Sequence, residues 1–70
     1  MEHSDLEELL RSKSFTLDEL DKICPIYIRG LGGSVILMHG KHRYIMMYDK
    51  NSGEYEFMDS YEDDTRVKKI

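Results

Sequence analysis

The chain has 70 residues, enough for one small domain near the lower size limit for a stable core without disulfides or metal, and too few for a second domain. Ten Lys and Arg against fourteen Asp and Glu leave a formal charge of -4, which argues against general binding to DNA or RNA, because phosphate affinity depends on clustered positive charge. The lone cysteine, Cys24, has no partner for an internal disulfide, no signal peptide is visible, and no apolar run approaches the roughly 20 residues that span a bilayer, so the expectation is a cytoplasmic protein without a membrane segment.

In chain order, Ser4-Asp5-Leu6-Glu7 has the form of a capping box and predicts a first helix over about 5–12, with Leu6, Leu9 and Leu10 on one stripe. Thr16 to Glu19 is a second capping box. There Phe15 before the cap and Leu20 on the following turn are spaced as a hydrophobic staple, so a second helix is predicted over 17–23, ending before Pro25. Strands follow over about 26–29, 34–39, 42–49 and 54–59. They are joined by the glycine-rich Gly30 to Gly33 loop, a two-residue Gly40-Lys41 turn closed by His39 and His42, and a turn around Lys50-Asn51-Ser52-Gly53. The predicted fold is α+β: two short N-terminal helices packed on one face of a four-stranded antiparallel meander. The charged tail 61–70 follows, with Thr65 to Ile70 a candidate fifth edge strand.

The registers follow from the turns. Leu37 faces Tyr44, Ile36 faces Ile45 and Val35 faces Met46. Arg29 opposite Ser34 puts Ile28 against Val35 and Ile26 against Leu37, and Asp49 opposite Glu54 puts Met46 against Phe57. One face then collects Ile26, Ile28, Val35, Leu37, Tyr44, Met46, Tyr48, Tyr55 and Phe57 as the core. The opposite face carries Tyr27, Ile36, Ile45 and Met58 in a row, flanked by Met38 and Met47, with an acidic margin of Glu54, Glu56, Glu62, Asp63 and Asp64. A slip of one residue at Gly30 to Gly33 would exchange the faces of the first strand alone. Two short helices can cover one face of such a sheet, and an exposed apolar patch beyond a few hundred Å² marks an interaction site; methionine suits one because its side chain adapts to a partner. A tail folded back through Tyr61, Val67 and Ile70 would cover the row instead.

The sequence therefore predicts a small non-enzymatic interaction module, a regulator or inhibitor by analogy with phage-encoded antagonists of host proteins. It would bind a protein partner or form a homodimer through Tyr27, Ile36, Met38, Ile45, Met47 and Met58, without a cofactor. The alternative is a hairpin tip that binds metal or phosphate in a small nucleic-acid-processing or hydrolase-like protein. His39 and His42 would lie side by side at roughly 5 Å with Asp59 diagonally next to His42, and with Lys41 and Arg43 adjoining. Two histidines fall short of a closed metal site, and His3 or Cys24 would have to complete it.

Overall fold

Two short helices and a four-stranded antiparallel sheet make up residues 2–63, which are those described by the computed structural model. Helix α1 (His3–Ser12) buries Leu6 and Leu10 and packs Leu9 beside them, while Arg11 and Glu7 pair at 2.9 Å on its outer side. The helix begins ahead of the predicted Ser4 cap: Glu2 is the N-cap, no side chain caps the helix, and Leu6 donates its N–H to the Glu2 carbonyl. Helix α2 (Leu17–Ile23) forms the predicted capping box in full. The Glu19 N–H donates to Thr16 Oγ1 at 3.2 Å, and the Thr16 N–H donates to the Glu19 carboxylate at 2.9 Å. It ends at Cys24, which is extended, as the residue before a proline must be.

Between the helices, Phe15 is buried and exchanges main-chain hydrogen bonds with Tyr55: the Phe15 N–H donates to the Tyr55 carbonyl at 2.9 Å and the Tyr55 N–H donates back at 2.6 Å. The interhelical link is thus tied to the last strand as well as to the core. The core cluster joins Leu6, Leu10, Phe15, Leu20 and Cys24 from the helical half to Val35, Leu37, Tyr44, Met46 and Tyr55 from one face of the sheet.

The strands are β1 (Tyr27–Arg29), β2 (Val35–His39), β3 (His42–Asp49) and β4 (Glu54–Glu62), in the spatial order of the sequence. The central hairpin has the predicted register throughout, from Val35 opposite Met46 to His39 opposite His42. Two registers differ from expectation, and both differences move side chains between faces.

At β1 the pairing is Tyr27 with Leu37, Ile28 with Ile36 and Arg29 with Val35, the slip of one residue. Its cause is the tip. Leu31–Gly33 forms a single turn of 3-10 helix in which Gly32 (φ 67) and Gly33 (φ 82) are both left-handed, so three residues turn the chain and not four. Gly30 is drawn into the ladder, its N–H donating to the Ser34 carbonyl at 2.9 Å, and a Cβ there would collide with Ser34 Oγ. Tyr27 therefore packs against the core, while Ile26 and Ile28, expected in the core, are 62% and 49% exposed.

In β4 a bulge falls opposite Ile45 and Met46: Phe57 still faces Met46, but Asp59, not Met58, faces Ile45. A regular ladder would have put Asp59 across from the buried Tyr44, where Ser60 now meets the Glu7 carboxylate, a costly place for a second carboxylate. The bulge moves Asp59 to the other face and sets Ser60 opposite Tyr44, where Ser60 Oγ donates to Glu7 of α1 at 3.2 Å. β4 also runs to Glu62, past the predicted end at Asp59. The predicted fifth strand over Thr65 to Ile70, and the tail contacts of Val67 and Ile70, lie outside the described residues.

Candidate interaction surface

The helices occupy the Val35, Leu37, Tyr44, Met46 face of the sheet. On the other face the registers set Ile28, Ile36 and Ile45 side by side across three strands, and Met58 bulges from the fourth next to Asp59. Met38 and Met47 flank the row. Ile36, Met38, Ile45 and Met47 are half-buried, while Met58 is exposed. Five of the six expected contact residues, Ile36, Met38, Ile45, Met47 and Met58, are brought together. Tyr27 is not among them: the slip at β1 turns it to the helical face, and Ile28 takes its place. Tyr61, opposite Arg43, is a further exposed member that the sequence reading assigned to the tail.

The acidic margin is redistributed. Glu56 stands exposed opposite Met47, and Asp59 joins it through the bulge. Glu54 turns its carboxylate to accept from Ser14 Oγ. Glu62 faces His42 on the helical side and pairs with Lys41 at 3.8 Å, and Asp63 pairs with Arg43 at 3.4 Å. Asp64 lies outside the described residues. Arg43 also donates to the Gly40 and His42 carbonyls, so its charge is spent within the hairpin and the exposed rim left beside the row is acidic.

The histidine tip assembles only in part. His39 and His42 are cross-strand neighbours, as predicted, but Asp59 is opposite Ile45 on the other face and does not adjoin them. His42 instead stacks on His3, with ring centroids 3.9 Å apart and planes 12° from parallel. The His3 carbonyl in turn accepts from the Tyr44 hydroxyl at 3.1 Å. Among the described residues no group of three His, Cys, Asp or Glu is placed to hold a metal ion. Lys41 and Arg43, the cations that would receive a phosphate there, are both paired with carboxylates. Cys24 does not complete the tip: its thiol is buried, donates to the Met38 carbonyl at 3.3 Å, and is pushed up in pKa by that burial.

His3 was legible only as a distant histidine, because nothing local to residues 1–5 says that α1 will lay its first turn against β3. The β4 bulge had a faint signal, an aspartate at a position that a regular strand would bury. Among the described residues no helix is long and apolar enough to cross a membrane. Comparison with protein-family models, curated proteins and solved structures found no match to this chain.

Proposed function

We propose that the protein is a small non-enzymatic interaction module, a regulator or inhibitor in kind, which docks a protein partner on the open face of its sheet. The observation that carries this reading is the apolar row Ile28, Ile36 and Ile45, with Met38, Met47 and Met58, on the face that neither helix covers. The rim favours a partner that differs from this chain. Glu56 and Asp59 line the β4 margin of the row and the formal charge is -4, so face-to-face packing that brings the two β4 margins together would set carboxylates against carboxylates, whereas an apolar surface rimmed by Lys and Arg complements them.

The test uses Ile45→Asp, which plants a charge at the centre of the row without touching the helical core. A folded variant that loses every partner captured by the wild type, together with the double reversal Glu56→Lys, Asp59→Lys losing the same partners, supports the reading. Accessibility is checked on the wild type alone, with a soluble nitroxide and methyl-labelled methionine. Strong broadening of the Met38, Met47 and Met58 methyls, with the buried Met46 methyl spared, is expected. Protection of Met38 and Met47, or unfolding of Ile45→Asp, would show that the face is covered within the chain and would overturn the proposal.

A further inference from the structure

The two outer edges of the sheet are finished differently. On β4 the edge is interrupted by the bulge, its Tyr55 main chain is already paired with Phe15, and α1 lies along it through Glu7 on Ser60 and Arg11 stacked 4.4 Å from the Phe57 ring. These are the devices by which proteins prevent edge-to-edge pairing. On β1 none of them is present among the described residues. The Met38 N–H donates to the Ile26 carbonyl and the Gly30 N–H donates to the Ser34 carbonyl, so the even-numbered positions face β2. By the alternation of an antiparallel ladder, the N–H and C=O groups of Tyr27 and Arg29 point outward, away from the sheet. Around that open edge lie Ile26, Ile28 and Leu31, and Leu31 is 93% exposed.

We infer that the outer edge of β1 pairs antiparallel with β1 of a second copy, about a two-fold axis at Ile28, joining two sheets into one. The register is self-complementary. Tyr27 of each copy comes opposite Arg29 of the other, and each of these residues offers an outward donor and an outward acceptor, so the main-chain groups left open on one copy are satisfied by those of the other. On the helical side the pairing lays a guanidinium next to a phenol ring, a favourable cation–π neighbourhood. On the open side Ile28 meets Ile28, which makes the apolar row continuous between copies. Ile26 comes alongside Gly30, which has no side chain to obstruct it, and Leu31 comes beside Pro25. From Cys24 to Ser34 the chain contains no carboxylate, so the charge that opposes face-to-face association is absent from this edge. The inference stands apart from the proposed docking face, since it uses the edge of the sheet and not its surface.

A proline at position 29 isolates the interaction. The Arg29 N–H is not used inside the sheet, so Arg29→Pro removes one outward donor and leaves the β1–β2 ladder intact, whereas Arg29→Lys keeps it. Solution mass measured by light scattering from micromolar to millimolar protein is expected to rise toward twice the monomer for the wild type and Arg29→Lys, and to stay at the monomer for Arg29→Pro. Ile45→Asp is expected to dimerise like the wild type, which separates this inference from the docking proposal. Should Arg29→Pro fail to fold, amide exchange on the wild type decides: the Tyr27 and Arg29 amides are expected to slow at least tenfold between the lowest and highest concentrations. A wild type that is monomeric at every concentration, a dimer unaffected by folded Arg29→Pro, or exchange at Tyr27 and Arg29 that ignores concentration would overturn it.

Discussion

Truncating Phe15 to alanine tests how the helical half is attached to the sheet. The ring is 2% exposed and belongs to the same cluster as Leu10, Leu20 and Tyr55, while its main chain is bridged to Tyr55. Removing a fully buried phenylalanine side chain costs about 3–5 kcal/mol, the lost transfer energy plus the cavity left behind. A domain of this length has roughly 3.5–10 kcal/mol in total, at about 0.05–0.15 kcal/mol per residue. The substitution is therefore expected to remove from a third to all of the stability. In a thermal melt, at about 4–8 °C per kcal/mol for a small domain, Tm falls by at least roughly 12 °C. Phe15→Leu, which refills most of the space, is expected to cost less than half as much. Urea unfolding followed by circular dichroism gives both values. Because Phe15 also occupies the edge of β4 at Tyr55, the alanine variant should aggregate more readily than a variant of equal stability altered in α1. A loss below about 1.5 kcal/mol with an unchanged denaturant slope would refute the reasoning, since it would mean that the link between the helices is not part of the core.

The elements that local chemistry decides are legible in the sequence. The Thr16–Glu19 capping box, the break at Cys24-Pro25 and the Gly40-Lys41 turn each need only neighbouring residues, and α2 and the whole β2–β3 register follow from them. What was misread depends on choices that neighbours leave open. Gly30-Leu31-Gly32-Gly33 can turn the chain with four residues or three, and the two solutions are related by a one-residue slip that sends Tyr27 and Ile28 to opposite faces. The hydrophobic pattern does not arbitrate, because positions 26, 27 and 28 are apolar alike. The bulge at Met58 is settled by tertiary cost, the burial of Asp59 beside Tyr44, and that cost exists only once α1 and the core are in place. The make-up of the face opposite the helices is legible because its central pairs, Ile36 with Ile45 and Met38 with Arg43, lie in the hairpin whose register its turn fixes. Of its outer members, Tyr27 lies in the strand that slips and Glu62 lies beyond the bulge, whereas Glu54 and Glu56 keep the predicted register and Glu54 is turned aside by Ser14.

Two further perturbations probe the same architecture. Thr16→Ala removes the acceptor for the Glu19 N–H and is expected to destabilise by about 1 kcal/mol, with Thr16→Ser within a few tenths of wild type; equal stability of all three would show that the box does not hold α2. The second is alkaline unfolding. Burial raises the Tyr44 phenol from its ordinary 10.0, helped by the Glu7 carboxylate nearby, and burial likewise raises the Cys24 thiol from 9.0. In the unfolded chain these groups lose their protons at the ordinary values, while the folded chain retains them. Above pH 9 the unfolded state therefore binds fewer protons, and stability falls as pH rises, by up to about 1.4 kcal/mol per pH unit for each group between its two values. Below pH 9 both contributions are fully present. Tyr44→Phe forfeits the hydrogen bond to the His3 carbonyl, about 1 kcal/mol at pH 7, and should flatten the fall above pH 10 while leaving the part that begins near pH 9. Cys24→Ala should do the reverse. Urea midpoints from pH 7 to 10.5 on the three proteins read the slopes directly, and identical slopes in all three would mean that neither proton is held by the folded core.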